Sequence, residues 1–233
     1  LYKIGFRFSL AFNLADEGLK KVMYLMAPAI IGTSAVQINV LVNTLLVTHI
    51  NGGRSWVSYA FRLMQFPIGL FGVAVGTASV PALSRLAVKE NLIEFRRTLT
   101  DSLKLVFLMT IPSACGLIVL GEPIIRLIYE RGAFSSYDVS MTAWALVGYS
   151  AGLLGYAGIK IVSPAFYALN DSKTPMTIAL ISIVVNAVAG YLFVRFMSNY
   201  ELGHVGATMA TSTVGLSNFI LLAILMRRKI KHL

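Results

Sequence analysis

The chain has 233 residues, of which 57% are hydrophobic and 13% are charged, and its mean hydropathy is +0.75. This composition excludes a soluble domain and is typical of a protein that crosses a membrane several times. The formal net charge of +10 suggests nucleic acid as a partner only until the order of the cations along the chain is considered.

The first residues have a different character from the rest. Residues 1–21 mix aromatic and basic side chains and are too polar for a span, so they predict an interfacial linker. The chain begins with Leu1, and no short signal-like segment precedes the first long apolar run, so we expect it to be part of a longer protein. A membrane lobe is predicted over 22–226, and a basic cytoplasmic tail over 227–233. The first span, 22–50, contains more amide side chains than lipid contact would tolerate, so its polar side is expected to face other helices.

The second apolar run, 57–81, is long enough to cross a bilayer although it contains Arg62, Gln65 and Pro67. Helical spacing places polar and small residues on one face. These residues are Ser55, Ser58, Arg62, Gln65, Gly69, Gly72, Gly76 and Ser79. A guanidinium at bilayer depth costs roughly 2.5 to 3.5 kcal/mol, so Arg62 is the leading candidate for a cavity residue. Snorkelling of Arg62 to the interface is the alternative, and close helix packing is the favoured role for the glycines.

The middle of the chain predicts a charged surface connection over 84–102, a third span over 103–120 and a short amphipathic helix over 123–132. Pro67 predicts a kink in the second span. The fourth span, 139–169, carries a second polar stripe that includes Lys160 near its middle. Lys160 either faces a cavity or pairs with backbone carbonyls. The fifth span, 175–196, and the sixth, 203–226, carry small and polar residues that favour bonds between helices.

The cations predict the orientation. If the amino-terminal end is cytoplasmic, fourteen of the twenty lysines and arginines lie inside, four lie outside, and Arg62 and Lys160 lie in the membrane. This is a strong positive-inside bias. Both ends are therefore expected to be cytoplasmic, and the basic excess reflects topology rather than binding to nucleic acid.

The acidic residues point to the kind of ligand. All ten fall in predicted loops or at span ends, so no carboxylate is available at membrane depth to pair with Arg62 or Lys160. An arginine suits bidentate recognition of phosphate, and a lysine adds a point charge. The sequence therefore predicts transport of an anionic, phosphate-bearing substrate.

Catalysis and cofactors find no support in the sequence. His49, His204 and His232 lie near span ends or the terminus, and no metalloprotease motif, paired carboxylates, phosphate loop or nucleophile elbow is present. Cys115 is the one cysteine, in an apolar run, and offers neither a disulfide nor a metal cluster. The expectation is a protein that is not an enzyme, with no metal and no cofactor. A structural or regulatory membrane subunit remains an alternative, because stripes of small and polar residues look alike in such a subunit and in a transporter.

Three runs carry a resemblance to a known family. They are APAIIGTSAVQINVLVNTLL at 27–46, YAFRLMQFPIGLFGVAVGTASVPALSR at 59–85 and PAFYALNDSKTPMTIALISIVVNAV at 164–188. The chain resembles the MurJ (MviN) family of bacterial lipid II flippases, within the multidrug/oligosaccharidyl-lipid/polysaccharide exporter superfamily. The resemblance implies an all-α, six-helix carboxyl-terminal lobe, like those of multidrug exporters, whose amino-terminal partner lobe is absent from this sequence.

The resemblance also implies a function. Members move lipid II, the undecaprenyl-diphosphate-linked peptidoglycan precursor, across the bacterial cytoplasmic membrane by alternating access, in support of cell-wall synthesis and cell shape. Arg62 matches an arginine expected to meet the diphosphate, and Gln65 and Lys160 match supporting positions. Phe61 stands where an acid or amide is common. An exporter of other lipid-linked glycans or of drugs is the alternative.

Some members have a sodium site in this lobe. The matching positions here are Asn43, Asn186, Gly190 and Thr211. Asn43 stands where an aspartate is common, and Gly190 has no side-chain ligand to offer. The sequence therefore argues against sodium coupling in this protein.

Overall fold

The computed structural model describes the backbone of residues 17–232 and shows no strand in that range. Eight α-helices and one π-helical segment follow one another there. They are α1 Glu17–Val47, α2 Gly53–Pro67, the π segment Ile68–Val73, α3 Ala74–Val88, α4 Leu92–Tyr129, α5 Ser136–Ser150, α6 Leu153–Ala168, α7 Lys173–Ser198 and α8 Gly203–His232.

The helices form six candidate membrane spans. Five are single runs long and apolar enough to cross a bilayer, and α5 with α6 makes a sixth that is bent by 44°. The second span combines α2, the π segment and α3 in one run, Gly53–Val88. The all-α, six-span prediction is therefore confirmed, and the irregular π segment begins directly after Pro67, where a distortion was predicted.

The division of residues 84–132 into three elements is wrong. From Leu92 to Tyr129 the chain is one helix that includes Pro112 and Pro123. At 1.5 Å per residue its 38 residues extend about 57 Å, more than the roughly 45 Å of a bilayer with its headgroups. The charged residues therefore lie on the projecting ends of α4 rather than on separate surface helices.

At the bend between α5 and α6 the chain packs closely against α8. A Cβ added to Gly152 would lie 2.5 Å from the Ser212 Cα atom. The Ser212 hydroxyl donates hydrogen bonds to the carbonyl oxygens of Gly148 at 2.6 Å and Tyr149 at 3.2 Å. Such bonds pair backbone groups that a bend in a membrane helix would otherwise leave unsatisfied.

The core is divided between the two ends of the bundle. One buried cluster, which includes Met64, Leu146 and Val47, joins α1, α2 and α5. A second, which includes Phe95, Phe166 and others from α3, α4, α6 and α8, closes the opposite end. Residues of both clusters, including Met64 and Leu222, line a cavity among the helices.

The predicted segment boundaries differ from the helix ends. The linker 1–21 lies largely outside the described residues, and α1 begins at Glu17. At the other end α8 continues through the predicted tail as far as His232.

Candidate functional site

A cavity of about 370 Å³ lies among α1, α2, α5, α6, α7 and α8. Its volume falls within the range of small-molecule and cofactor sites. Its polar lining comes from every one of these helices. These residues are Asn39, Asn43, Thr44, Ser58, Gln65, Tyr149, Tyr156, Lys160, Ser163, Tyr167, Ser182, Thr211 and Asn218.

Lys160 is the cation of this cavity. It lies near the middle of α6, and no described carboxylate is within ion-pair distance of it. Two glycines let the second span approach α6 at this point. A Cβ on Gly76 would lie 2.6 Å from the Lys160 carbonyl oxygen, and one on Gly72 would lie 3.6 Å from the Lys160 Cγ atom. The backbone position of Lys160 is therefore fixed by close helix packing.

Arg62 and Gln65 occupy neighbouring but different places on α2. Gln65 lines the cavity with Lys160. Arg62 is exposed and is absent from the lining, and its guanidinium carbon lies 5.6 Å from the centre of the Tyr59 ring. This distance is that of a cation–π contact. The described residues contain no ion pair for Arg62.

The glycine stripe separates into two kinds of position. Gly72 and Gly76 are buried against α6, as packing predicts, whereas a Cβ on Gly69 would meet nothing within 4 Å. The opposite face of the span is apolar and exposed, with Phe66 at 69% and Leu70 at 52%. That face therefore has the character of a lipid contact.

An amide network joins α1, α7 and α8 beside the cavity; it consists of Asn39, Asn43, Ser182, Asn186 and Thr211. Asn43 Nδ2 donates to Thr211 Oγ1 at 2.5 Å, and Asn186 Nδ2 donates to Asn43 Oδ1 at 3.1 Å. Asn39 Nδ2 donates to Ser182 Oγ at 3.2 Å. Three of the positions that match a sodium site, Asn43, Asn186 and Thr211, are thus brought together, and Asn43 bonds directly to the other two.

The donor set of the amide network decides how well a cation fits it. It holds no carboxylate, and the Asn43 amide points a hydrogen, not an oxygen, at Thr211. The Oδ1 atoms of Asn39 and Asn186 are buried without a described partner. Gly190 is a packing position, since its Cβ would lie 2.5 Å from Leu46 Cδ1. These side chains therefore suit hydrogen bonding between helices better than capture of sodium.

Two features of the site go beyond what the sequence predicted. The π segment shifts the helical register directly after Pro67, and π segments are frequent at functional sites. Tyr156 belongs to the predicted polar stripe, but its hydroxyl donates to the Thr211 carbonyl at 3.3 Å and so ties α6 to α8. Pro67 was the signal for the first feature, and no local pattern predicts the second.

The fold is that of a multi-pass membrane protein with a cavity among its helices. A family model described as lipid II flippase MurJ matches residues 1–233. A probable lipid II flippase MurJ of Vibrio cholerae is 37% identical over 91% of this chain and 39% of its own length. The lipid II flippase MurJ of Burkholderia cenocepacia is 36% identical over 93% of this chain and 41% of its own.

A solved structure agrees with these relatives. Lipid II flippase MurJ in an inward closed conformation superposes with a TM-score of 0.76 and 30% identity over 96% of this chain and 46% of its own. The chain belongs to the MurJ family of lipid II flippases, a family of transporters rather than of catalytic enzymes. It spans about two fifths of the length of the relatives it matches.

Proposed function

We propose that this chain is the carboxyl-terminal lobe of a lipid II flippase. Together with an amino-terminal six-helix lobe it moves the undecaprenyl-diphosphate-linked peptidoglycan precursor across the bacterial cytoplasmic membrane by alternating access. The observation that carries the proposal is the cavity with Lys160 and Gln65 in its lining and no described carboxylate at ion-pair distance.

Charge balance favours an anionic substrate. A cation at membrane depth is costly unless it has a counter-charge. Lys160 and Arg62 lack one among the described residues. A diphosphate would supply it, with Arg62 contributing a planar pair of donors and Lys160 a point charge. Gln65 lies between them in sequence and adds a neutral donor and acceptor.

The position of Arg62 gives it a distinct role. Because it is exposed beside the cavity rather than in its lining, we place it on the surface that faces the second lobe. Lipid II would then contact Arg62 beside the cavity and Lys160 in its lining. Because the two contacts lie at different places, the binding energy of lipid II can differ between the inward-facing and outward-facing states, as alternating access requires.

The surroundings of the lobe follow from the cations. We propose that both ends are cytoplasmic, that 22–226 forms the membrane lobe, and that the flanking segments 1–21 and 227–233 lie at the cytoplasmic surface. A charge that crosses the full membrane field gains about 2.3 kcal/mol per 100 mV. A membrane potential can therefore bias the cycle.

Native mass spectrometry of the full-length protein in detergent tests the substrate site. Lys160→Gln and Arg62→Gln should each weaken retention of lipid II by about tenfold or more, because each removes a charge-assisted hydrogen bond worth roughly 1.5 to 3 kcal/mol. Arg195→Gln is the matched control, since Arg195 is an exposed cation whose guanidinium donates to the Tyr191 hydroxyl. Uncharged undecaprenol should bind all variants alike.

The outcomes separate the alternatives. Equal retention of lipid II by wild type and both cavity variants would refute the roles of Lys160 and Arg62. Equal retention of undecaprenyl diphosphates that carry other sugars would favour an exporter of other lipid-linked glycans. Retention of a cationic drug in preference to lipid II would favour a drug exporter, and retention of neither would favour a structural or regulatory subunit.

A further inference from the structure

A second cavity, of about 430 Å³, lies between α4, α6 and α8 and shares no lining residue with the first. Two arginines, Arg96 and Arg227, stand in its lining. The rest of the lining is apolar apart from one threonine. These residues are Leu99, Thr100, Leu103, Val162, Ala223, Met226 and Ile230.

The two arginines have no counter-charge in the described part of the chain. Two nearby cations are paired: Arg97 lies 3.9 Å from a Glu94 oxygen, and Lys229 lies 2.6 Å from an Asp171 oxygen. No described ion pair or hydrogen bond involves the side chain of Arg96 or Arg227. Two positive charges therefore meet at one opening without an anion.

The depth of the cavity matches the edge of a membrane. Arg96 precedes the predicted apolar stretch 103–120, and Arg227 directly follows the stretch 203–226. From Arg96 to Leu103 the α4 axis advances about 10.5 Å. The cavity therefore runs from the headgroup level, where the arginines lie, to the start of the hydrocarbon, where its surface is apolar.

We propose that this cavity binds an anionic glycerophospholipid of the cytoplasmic leaflet. The phosphate would accept hydrogen bonds from Arg96 and Arg227, whose planar guanidinium groups suit phosphate oxygens. An acyl chain would cover the apolar surface of Leu99, Leu103 and Ala223. Basic pockets between membrane helices on the cytoplasmic side are suited to such headgroups. The proposal does not depend on lipid II translocation.

Binding of two lipids to the purified full-length protein tests the site. Dioleoylphosphatidylglycerol carries a net negative charge, whereas dioleoylphosphatidylcholine has the same chains and phosphate but no net charge. Native mass spectrometry should show tighter binding of the first, and the double variant R96Q/R227Q should weaken it by about tenfold or more. The control is R97Q/R228Q, which removes the same number of positive charges from the adjacent residues that do not line the cavity.

A third variant tests the apolar part. Ala223→Trp keeps both arginines and fills the groove, so it should weaken binding of dioleoylphosphatidylglycerol as well. Unchanged melting temperatures would show that each variant is folded. An equal loss in R96Q/R227Q and R97Q/R228Q would overturn the proposal in favour of diffuse surface charge. Equal binding of the two lipids by wild type, or no effect of Ala223→Trp, would overturn it too.

Discussion

Of the glycines in the second span that face α6, Gly76 lies nearest to that helix. The substitution Gly76→Ala is therefore a direct test of how the Lys160 backbone is positioned. An added Cβ would lie 2.6 Å from the Lys160 carbonyl oxygen and 3.7 Å from Ile161 Cδ1. A carbon normally stays about 3.3 Å or more from a carbonyl oxygen. The two helices would therefore have to separate by roughly 0.7 Å, because backbone cannot move aside as a side chain can.

The expected change in the free energy of unfolding of Gly76→Ala is the difference between two effects. Overpacking of this kind costs about 1 to 3 kcal/mol. Alanine stabilises a helix by about 1 kcal/mol relative to glycine. With a rigid backbone atom as the obstacle, the upper part of the first range applies. We therefore expect Gly76→Ala to lower the free energy of unfolding by about 1 to 2 kcal/mol.

Thermal unfolding in detergent measures this cost, and a chain of this size should lose about 2 to 4 °C in Tm per kcal/mol. The controls are Gly69→Ala and Gly116→Ala, since a Cβ at either position would meet nothing within 4 Å. Both should match wild type or exceed its Tm. Displacement of Lys160 should also weaken retention of lipid II by Gly76→Ala. If Gly76→Ala melts with the two controls and retains lipid II, close packing does not position Lys160.

Two further predictions concern the loop after α6 and the amide network. Burial raises the pKa of Asp171, but hydrogen bonds from Lys229 and Thr174 outweigh it and hold that pKa below the usual value. The stabilisation is therefore complete above the unfolded pKa of about 3.9 and is lost as pH falls through the lower folded value. Asp171→Asn should lower the free energy of unfolding by about 1 to 3 kcal/mol at pH 7 and reduce the fall of Tm at acidic pH. An unchanged dependence of Tm on acidic pH would contradict this prediction. Asn43 and Thr211 bond to each other, so we expect no sodium ion to bind at the amide network. Tm and lipid II retention should therefore be equal in sodium chloride and potassium chloride, and a rise in Tm specific to sodium would refute this prediction.

The spans were predictable because each rests on a local pattern. Length, hydropathy and turn residues place α7 within two residues of its observed limits and α8 at its observed start, whereas α1, the second span and the end of α8 differ by three to seven residues. The error at α4 came from treating Gly121 and Pro123 as a break. An interior proline costs about 3 kcal/mol or more in an ordinary helix. In a membrane, however, a broken helix leaves several backbone groups unpaired, so the continuous helix is the less costly state.

The sequence predicted which residues belong to the candidate site better than it predicted their arrangement in space. Periodicity places Arg62 and Gln65 on one helix face, but they are three residues apart and differ by about 60° around the axis. That rotation decides which of them enters a cavity, and it depends on the helices packed alongside. The amide network shows the same limit, because Asn39 and Ser182 are polar residues within their spans whose pairing requires α1 and α7 to be adjacent.

Glycines on both sides of α6 explain how an unpaired cation is held in place. On one side Gly72 and Gly76 admit the second span to the Lys160 backbone. On the other side Gly155 and Gly158 of α6 itself face α8, where a Cβ on Gly155 would lie 2.5 Å from the Gly215 carbonyl carbon. Small residues allow this approach between membrane helices, where van der Waals contact replaces the hydrophobic effect. Close packing on both sides thus fixes the Lys160 backbone in a part of the lobe where no described carboxylate pairs with the side chain.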